Sequence, residues 1–243
     1  MSRSYLDWNA TTPLRPEARA AMIAAMDLQG NPSSVHREGR AAKAMMERAR
    51  GQIASALGAD GADIVFTSSA TEAAALACAG RGLVCGDVEH DAVAAWCAPS
   101  LPVDAQGRVT VSDPAQSALQ IANSETGILQ DLPEGLAVSD LTQGFGKLPI
   151  AFNWLGCQMG LVSAHKIGGP KGIGALVLRR GLDVSAQLRG GGQEMGRRAG
   201  TENLIGIAGF AAAAEAAARD LANGVWDRVA EIRNILDSAL SAE

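Results

Sequence analysis

The sequence predicts an α/β fold built on a mainly parallel sheet. Short apolar runs of strand length, at 64–67, 160–163 and 173–178, alternate with stretches of helical periodicity and are separated by turn residues. Of the 243 residues, 47% are apolar and 19% charged, as in a globular chain that can bury a substantial core. Aromatic residues are only 4%, so small side chains on closely packed elements are expected to build that core.

The elements follow in order. Residues 16–29 read as a helix, with Pro16 in its first turn and Gly30-Asn31-Pro32 stopping it. Residues 40–57 are a second helix, because Ala41, Ala44, Met45, Ala49, Ile53 and Leu57 recur near a 3.6-residue period. The strand at 64–67 runs through Ser68-Ser69 into a helix beginning near Thr71. Further strands are expected at 118–122, 136–139, 160–163 and 173–178. Two helices close the chain, 203–221 and 225–240, the second carrying Val229, Ile232, Leu236 and Leu240 on one face. The organisation expected is an N-terminal segment (1–15), a large domain (16–222) and a final helical stretch (223–243).

The net charge of −5, from 21 basic and 26 acidic residues without a basic stripe, argues against nucleic acid or an anionic membrane as partner. The first residues meet Asp7 before any long apolar run, which reads as no signal peptide. No stretch reaches the roughly 18 apolar residues of a membrane span. Cys78, Cys85, Cys97 and Cys157 form no C-x-x-C pair; their spacing suits buried thiols in a reducing cytoplasm better than a disulfide frame or zinc site.

The most informative segment is Ser163-Ala164-His165-Lys166, followed by Gly168-Gly169-Pro170-Lys171-Gly172. A lysine just past a buried strand end is placed to lose water, which lowers its pKa and frees the amine to attack a carbonyl. The same pattern also fits a surface lysine in a glycine-rich turn. Asp140 ends an apolar strand, where a carboxylate can pair with a protonated pyridine nitrogen or simply cap a helix. Ser68 to Glu72 can bind a phosphate at a helix N-terminus or serve only as a cap. His90, after Glu89, can stack on a flat cofactor or cap a short helix.

Taken in order, these segments resemble one family. Tyr5-Leu6-Asp7-Trp8-Asn9-Ala10-Thr11-Thr12-Pro13 is similar to its opening signature, and Gly30 to His36 to the segment after its first helix. Ala70-Thr71-Glu72, Glu89-His90, Asn123 to Gly127, Asp140 with Gln143, and Gly146 to Pro149 follow. Ser163 to Gly172 and Gly190 to Asn203 complete the set. The chain resembles class V aminotransferase-type proteins of the cysteine desulfurase group, over nearly its whole length.

The resemblance implies the large domain of a fold-type I transferase dependent on pyridoxal 5′-phosphate (PLP), with a seven-stranded-type sheet between helices and most of the small C-terminal domain missing. Lys166 would hold PLP as a Schiff base. Asp140 would meet the pyridine nitrogen, Gln143 and Ser124 the phenolic oxygen, and His90 the ring face. Ala70, Thr71, Ser163 and His165 would bind the phosphate, and Thr201 would reach the phosphate of a neighbouring subunit in a homodimer. The implied reaction converts L-cysteine to L-alanine and passes sulfur to a protein thiol for iron–sulfur assembly. A non-catalytic PLP-binding relative, a selenocysteine lyase or an aminotransferase are alternatives.

Three departures accompany it. Ser124 stands where the family usually has Asn. Only twelve residues separate Gly127 from Asp140, so an outer helix is expected to be missing or reduced to a turn. The family's catalytic cysteine and substrate-binding arginine lie beyond the last residues of this sequence. None of the four cysteines matches that nucleophile; each is expected to be a small buried hydrophobe.

Overall fold

The computed structural model describes residues 3–241. The outer bounds of the first and last predicted segments, at 1 and 243, lie outside the described residues. Helices α1 (Pro16–Met26) and α2 (Arg37–Ala56) precede strand β1 (Asp63–Thr67). Then come α3 (Ala70–Cys78), β2 (Val84–Cys85), α4 (Asp91–Ala94) and β3 (Ala98–Pro99). Strands β4 (Val138–Asp140), β5 (Met159–Ser163) and β6 (Gly174–Leu178) follow, and α5 (Leu204–Ala222) and α6 (Val225–Leu240) end the chain.

The central sheet has the order β1-β6-β5-β4. Strands β4 and β5 are parallel, but β6 runs antiparallel to both β1 and β5. The sheet is therefore mixed, with one reversed strand. Beyond β4, parallel bridges Ala118↔Val138 and Val84↔Ser117 and the parallel pair β2–β3 extend the same layer.

The predicted strand at 118–122 forms only isolated bridges, a correction with a specific cause. Its Leu119 and Ile121 amides bond the carbonyls of Val138 and Asp140 at 3.0 and 2.9 Å. On its other edge the Gln120 amide is taken by Glu89 Oε1 at 2.6 Å, and on the β4 side the Leu119 carbonyl accepts from the Ser139 side-chain Oγ at 2.8 Å. Side chains thus occupy sites a neighbouring strand would use. The strand expected at 136–139 begins two residues later because the Ala137 amide bonds the Pro114 carbonyl.

Period-2 alternation sends the strand side chains to two cores. Ile64, Phe66, Val162, Ala175 and Val177 face the layer of α1, α2 and α5. Val65, Leu161, Leu176 and Leu178 face α3 and its neighbours. The alanine-rich α5 permits close packing: a Cβ on Gly209 would lie 2.7 Å from Met22 Cγ. Small residues, not aromatics, set this interhelical distance.

Helix boundaries follow their caps. His36 accepts from the Gly39 amide at 3.3 Å, so α2 starts earlier than its apolar period suggests. Ser69 caps the Glu72 amide at 3.3 Å while Glu72 Oε2 accepts from the Ser68 amide at 2.7 Å, a reciprocal cap that starts α3. Residues 128–137 contain no helix, in keeping with the short crossover. Helix α6 buries none of its residues; Val229 and Ile232 are 47% and 54% exposed. No described helix is long and apolar enough to cross a membrane.

Candidate active site

Asp140 closes β4, Ser163 closes β5, and Ala70 opens α3; all three ends meet at one cavity of about 320 Å³. Ligand sites in such sheets lie beyond strand carboxyl ends, and β4 and β5 deliver their last residues there. Gly174 on β6 makes the junction possible. A Cβ there would lie 2.7 Å from the Ser69 carbonyl carbon and 2.9 Å from the Ala70 nitrogen, so only glycine lets α3 start directly over the strand.

Nine of the ten residues singled out from the sequence line this cavity: Ala70, Thr71, His90, Ser124, Asp140, Gln143, Ser163, His165 and Lys166. Thr201 does not. It is exposed and lines a separate small cavity with Thr67, Ser68 and Arg198.

Lys166 lies at the end of a 3₁₀ turn, Ala164–Lys166, that breaks β5. Its Nζ donates to the carbonyl of Asn9 and, at 3.1 Å, to that of Ala10. The N-terminal segment that supplies these carbonyls is itself fastened: the Thr12 amide and hydroxyl donate to the His165 carbonyl at 2.9 and 2.8 Å. Burial holds the Lys166 amine below the usual lysine range, against the opposing pull of Asp140, Asp7 and Glu125. His165 is likewise lowered by burial and by the lysines around it, and its Nδ1 lies 3.2 Å from Thr11 Oγ1.

On the opposite wall, Asp140 Oδ1 accepts from the Thr142 amide at 2.9 Å, fixing the carboxylate. Gln143 Nε2 donates to the Asn9 carbonyl at 3.1 Å, while its Oε1 accepts from Lys147 Nζ at 2.7 Å. His90 caps α4, its Nδ1 accepting from the Ala92 amide at 3.0 Å, and it also lines the cavity. The Ser124 hydroxyl donates to Glu125 Oε1 at 3.2 Å, and its carbonyl accepts from Asn9 Nδ2.

Sequence reasoning missed several contributors. Gln120, Ala122 and Thr142 are wall residues, and Ala10 comes from the N-terminal segment. Buried Glu89 supports the wall through the Gln120 amide. Burial, above all, pushes its carboxyl up to about 8; the Gln120 amide opposes this and Asp140 adds to it. The only sequence signal for Glu89 was its place beside His90.

The cavity has a basic end, from Lys166 and His165, and an acidic wall at Asp140. The first amides of α3, at Ala70 and Thr71, have no intrahelical partner, which suits an anion. Thr142 Oγ1, buried on the same wall, has no hydrogen-bond partner among the described residues. Unpaired donors at one end and a fixed carboxylate at the other fit a flat ligand with a phosphate and a protonatable ring nitrogen. This arrangement on a mixed α/β sheet defines a fold-type I, PLP-dependent protein.

The family model for aminotransferase class-V matches residues 4–242, and the chain belongs to that family. It is 35% identical to cysteine desulfurase IscS of Dictyoglomus turgidum, over 95% of this chain and 67% of the relative. The solved structure of a NifS-like protein from Rickettsia africae superposes with a TM-score of 0.88 at 32% identity, covering 98% of this chain and 75% of that one. The structure described as SspA in complex with cysteine matches at a TM-score of 0.78 and 29% identity, over 88% of this chain and 72% of its own. The chain spans about two thirds of the length of the curated relatives it matches.

Proposed function

We propose that this chain is the PLP-binding part of a cysteine desulfurase. The observation that carries the reading is the convergence of Lys166, Asp140, Gln143 and His90 on one cavity in a chain whose relatives are cysteine desulfurases. Residues 16–222 would form the cofactor domain, preceded by the N-terminal segment whose Asn9 and Ala10 carbonyls meet Lys166 and followed by α6. The overall reaction balances as L-cysteine plus a protein thiol giving L-alanine plus a persulfide on that thiol.

Bound PLP supplies an electron sink for charge developing at the substrate α-carbon. The protein's own groups set up that chemistry. Lys166 would hold the cofactor, and its amine would move a proton to or from the substrate α-carbon. Burial lowers its pKa and so favours the neutral amine. Asp140 would keep a proton on the ring nitrogen, Gln143 would donate from its NH₂ to the phenolic oxygen, and His90 would cover the ring face. The Ala70 and Thr71 amides, the Ser163 hydroxyl and His165 would take the phosphate; Ser124, whose hydroxyl donates to Glu125, would serve the phenolic oxygen.

Thr201, exposed and away from its own chain's Lys166 cavity, would complete the phosphate site of a partner copy in a homodimer. The sulfur acceptor would belong to iron–sulfur assembly, consistent with the IscS relative. Four free, buried cysteines support a reducing, cytoplasmic setting.

The test is product analysis with L-cysteine and the PLP-loaded chain. Expected is little or no alanine from this chain alone, with any that forms abolished in Lys166→Ala. Alanine above that control rejects a non-catalytic PLP-binding relative, and accumulation of the keto acid indicates transamination.

A further inference from the structure

Lys147 follows the turn that begins at Asp140. It lines a groove with Phe145, Leu148 and Trp226 and does not line the cofactor cavity itself. Its Nζ donates to Gln143 Oε1 at 2.7 Å, and Gln143 Nε2 donates to the Asn9 carbonyl at 3.1 Å. A lysine ammonium can only donate and a backbone carbonyl can only accept. Both neighbours therefore demand the same amide orientation. The oxygen must face Lys147, and the NH₂ must face Asn9 and the cavity, where one N–H is left for a ligand.

We propose that Lys147 is a positioning residue, which fixes the amide of Gln143 so that an N–H rather than a carbonyl is presented to the cofactor's phenolic oxygen. The inference rests on the reading that the cavity holds PLP with Gln143 at that oxygen. Without Lys147, only the Asn9 carbonyl orients the amide, and a flipped amide would set its oxygen against an anionic one. Burial supports the role: it holds Lys147 below the usual lysine range, at about 8, with the Lys166 charge adding to the effect, so the ammonium gains from an oriented acceptor. Lys147 acts only through Gln143; no contact with the ligand is required of it.

The experiment uses the full chain loaded with PLP and follows the pH titration of its visible absorbance, which a purely structural role would leave unmoved. A donor at the phenolic oxygen competes with the proton on the lysine nitrogen, so its loss holds that proton more tightly. In Lys147→Met the midpoint is expected to rise by roughly 0.5–1 pH unit, the size of one neutral hydrogen bond. In a Gln143→Ala background only the smaller direct effect of removing the Lys147 charge near Lys166 should remain. Lys147→Arg, which keeps a donor-only group, should titrate closer to the native chain. If the Met variant does not fold, Lys147→Gln provides the same comparison. An unchanged midpoint, or shifts that add in the double variant, overturns the positioning role while leaving PLP at Lys166 intact. Failure of the native chain to form a Lys166 adduct overturns the cofactor reading, and this inference with it.

Discussion

The carboxylate of Glu194 accepts from both Nη atoms of Arg50, at 2.9 and 3.0 Å, and from the Phe66 amide at 2.8 Å. Its side chain is fully buried, and the Arg50 guanidinium lies 4.6 Å from the centre of the Phe66 ring. Phe66 belongs to β1, whose outer edge has no strand neighbour in the central sheet, so Glu194 serves an edge amide that a further strand would otherwise pair. The contact anchors a segment in which Glu194 and Met195 take left-handed backbone angles, φ 48° and 59°, and which leads directly to Thr201.

Removing Glu194 would leave the largely buried Arg50 with only the more exposed Glu47 and the Ile64 carbonyl, and the Phe66 amide without its acceptor. Glu194→Ala is expected to cost about 3–5 kcal/mol, measured by urea unfolding. A loss below about 1 kcal/mol would show that the segment is held by other contacts.

Glu89 gives a pH dependence of defined sign. Its folded pKa, about 8, lies above the ordinary carboxylate value, so the folded chain holds a proton that the unfolded chain releases. Its favourable contribution is fully present below the unfolded pKa and is lost as pH rises through the folded one. The native chain should therefore lose up to a few kcal/mol relative to Glu89→Gln between about pH 4.5 and 8. Parallel stability–pH curves for the two proteins would contradict the buried, protonated carboxyl.

Gly174→Ala tests the seating of α3 over β6. The added Cβ meets backbone atoms of Ser69, Ala70 and Val162 at 2.7–2.9 Å, none of which can rotate away. A loss of about 1–3 kcal/mol in stability is expected. PLP affinity should fall by roughly tenfold or more as the Ala70 and Thr71 amides shift. Retention of native affinity, read by fluorescence titration, would mean that these amides do not hold the phosphate.

The cysteines should be silent in the folded chain. All four are buried; Cys97, mainly through its contact with Cys78, and Cys157, through burial, are pushed up to about 12. Cys85 is raised further by Cys97. Ellman's reagent should label none under native conditions and all four after unfolding. Rapid labelling of any one would make it a candidate sulfur carrier.

Much of this was legible in sequence. The apolar runs of β5 and β6 located the strands, and Lys166 and Asp140 were visible as polar residues at strand ends. The reversed direction of β6 was not, because an apolar run of five reads the same in either sense. The broken ladder at 118–122 depends on Glu89, which stands 31 residues earlier and pairs only in three dimensions. His36 and Ser69 act as caps through single side-chain bonds that displace a boundary without changing the apolar period. Lys147 was visible within the Gly146 to Pro149 segment, but its bond to Gln143 depends on a turn whose geometry the residue types do not specify.

The most direct test of the cofactor site is reduction of the PLP-incubated chain with borohydride, followed by peptide mass mapping. A stoichiometric adduct on Lys166, abolished by Lys166→Ala and weakened by Asp140→Ala, is the expected result. An adduct on Lys147 or Lys171, or none at all, would contradict it.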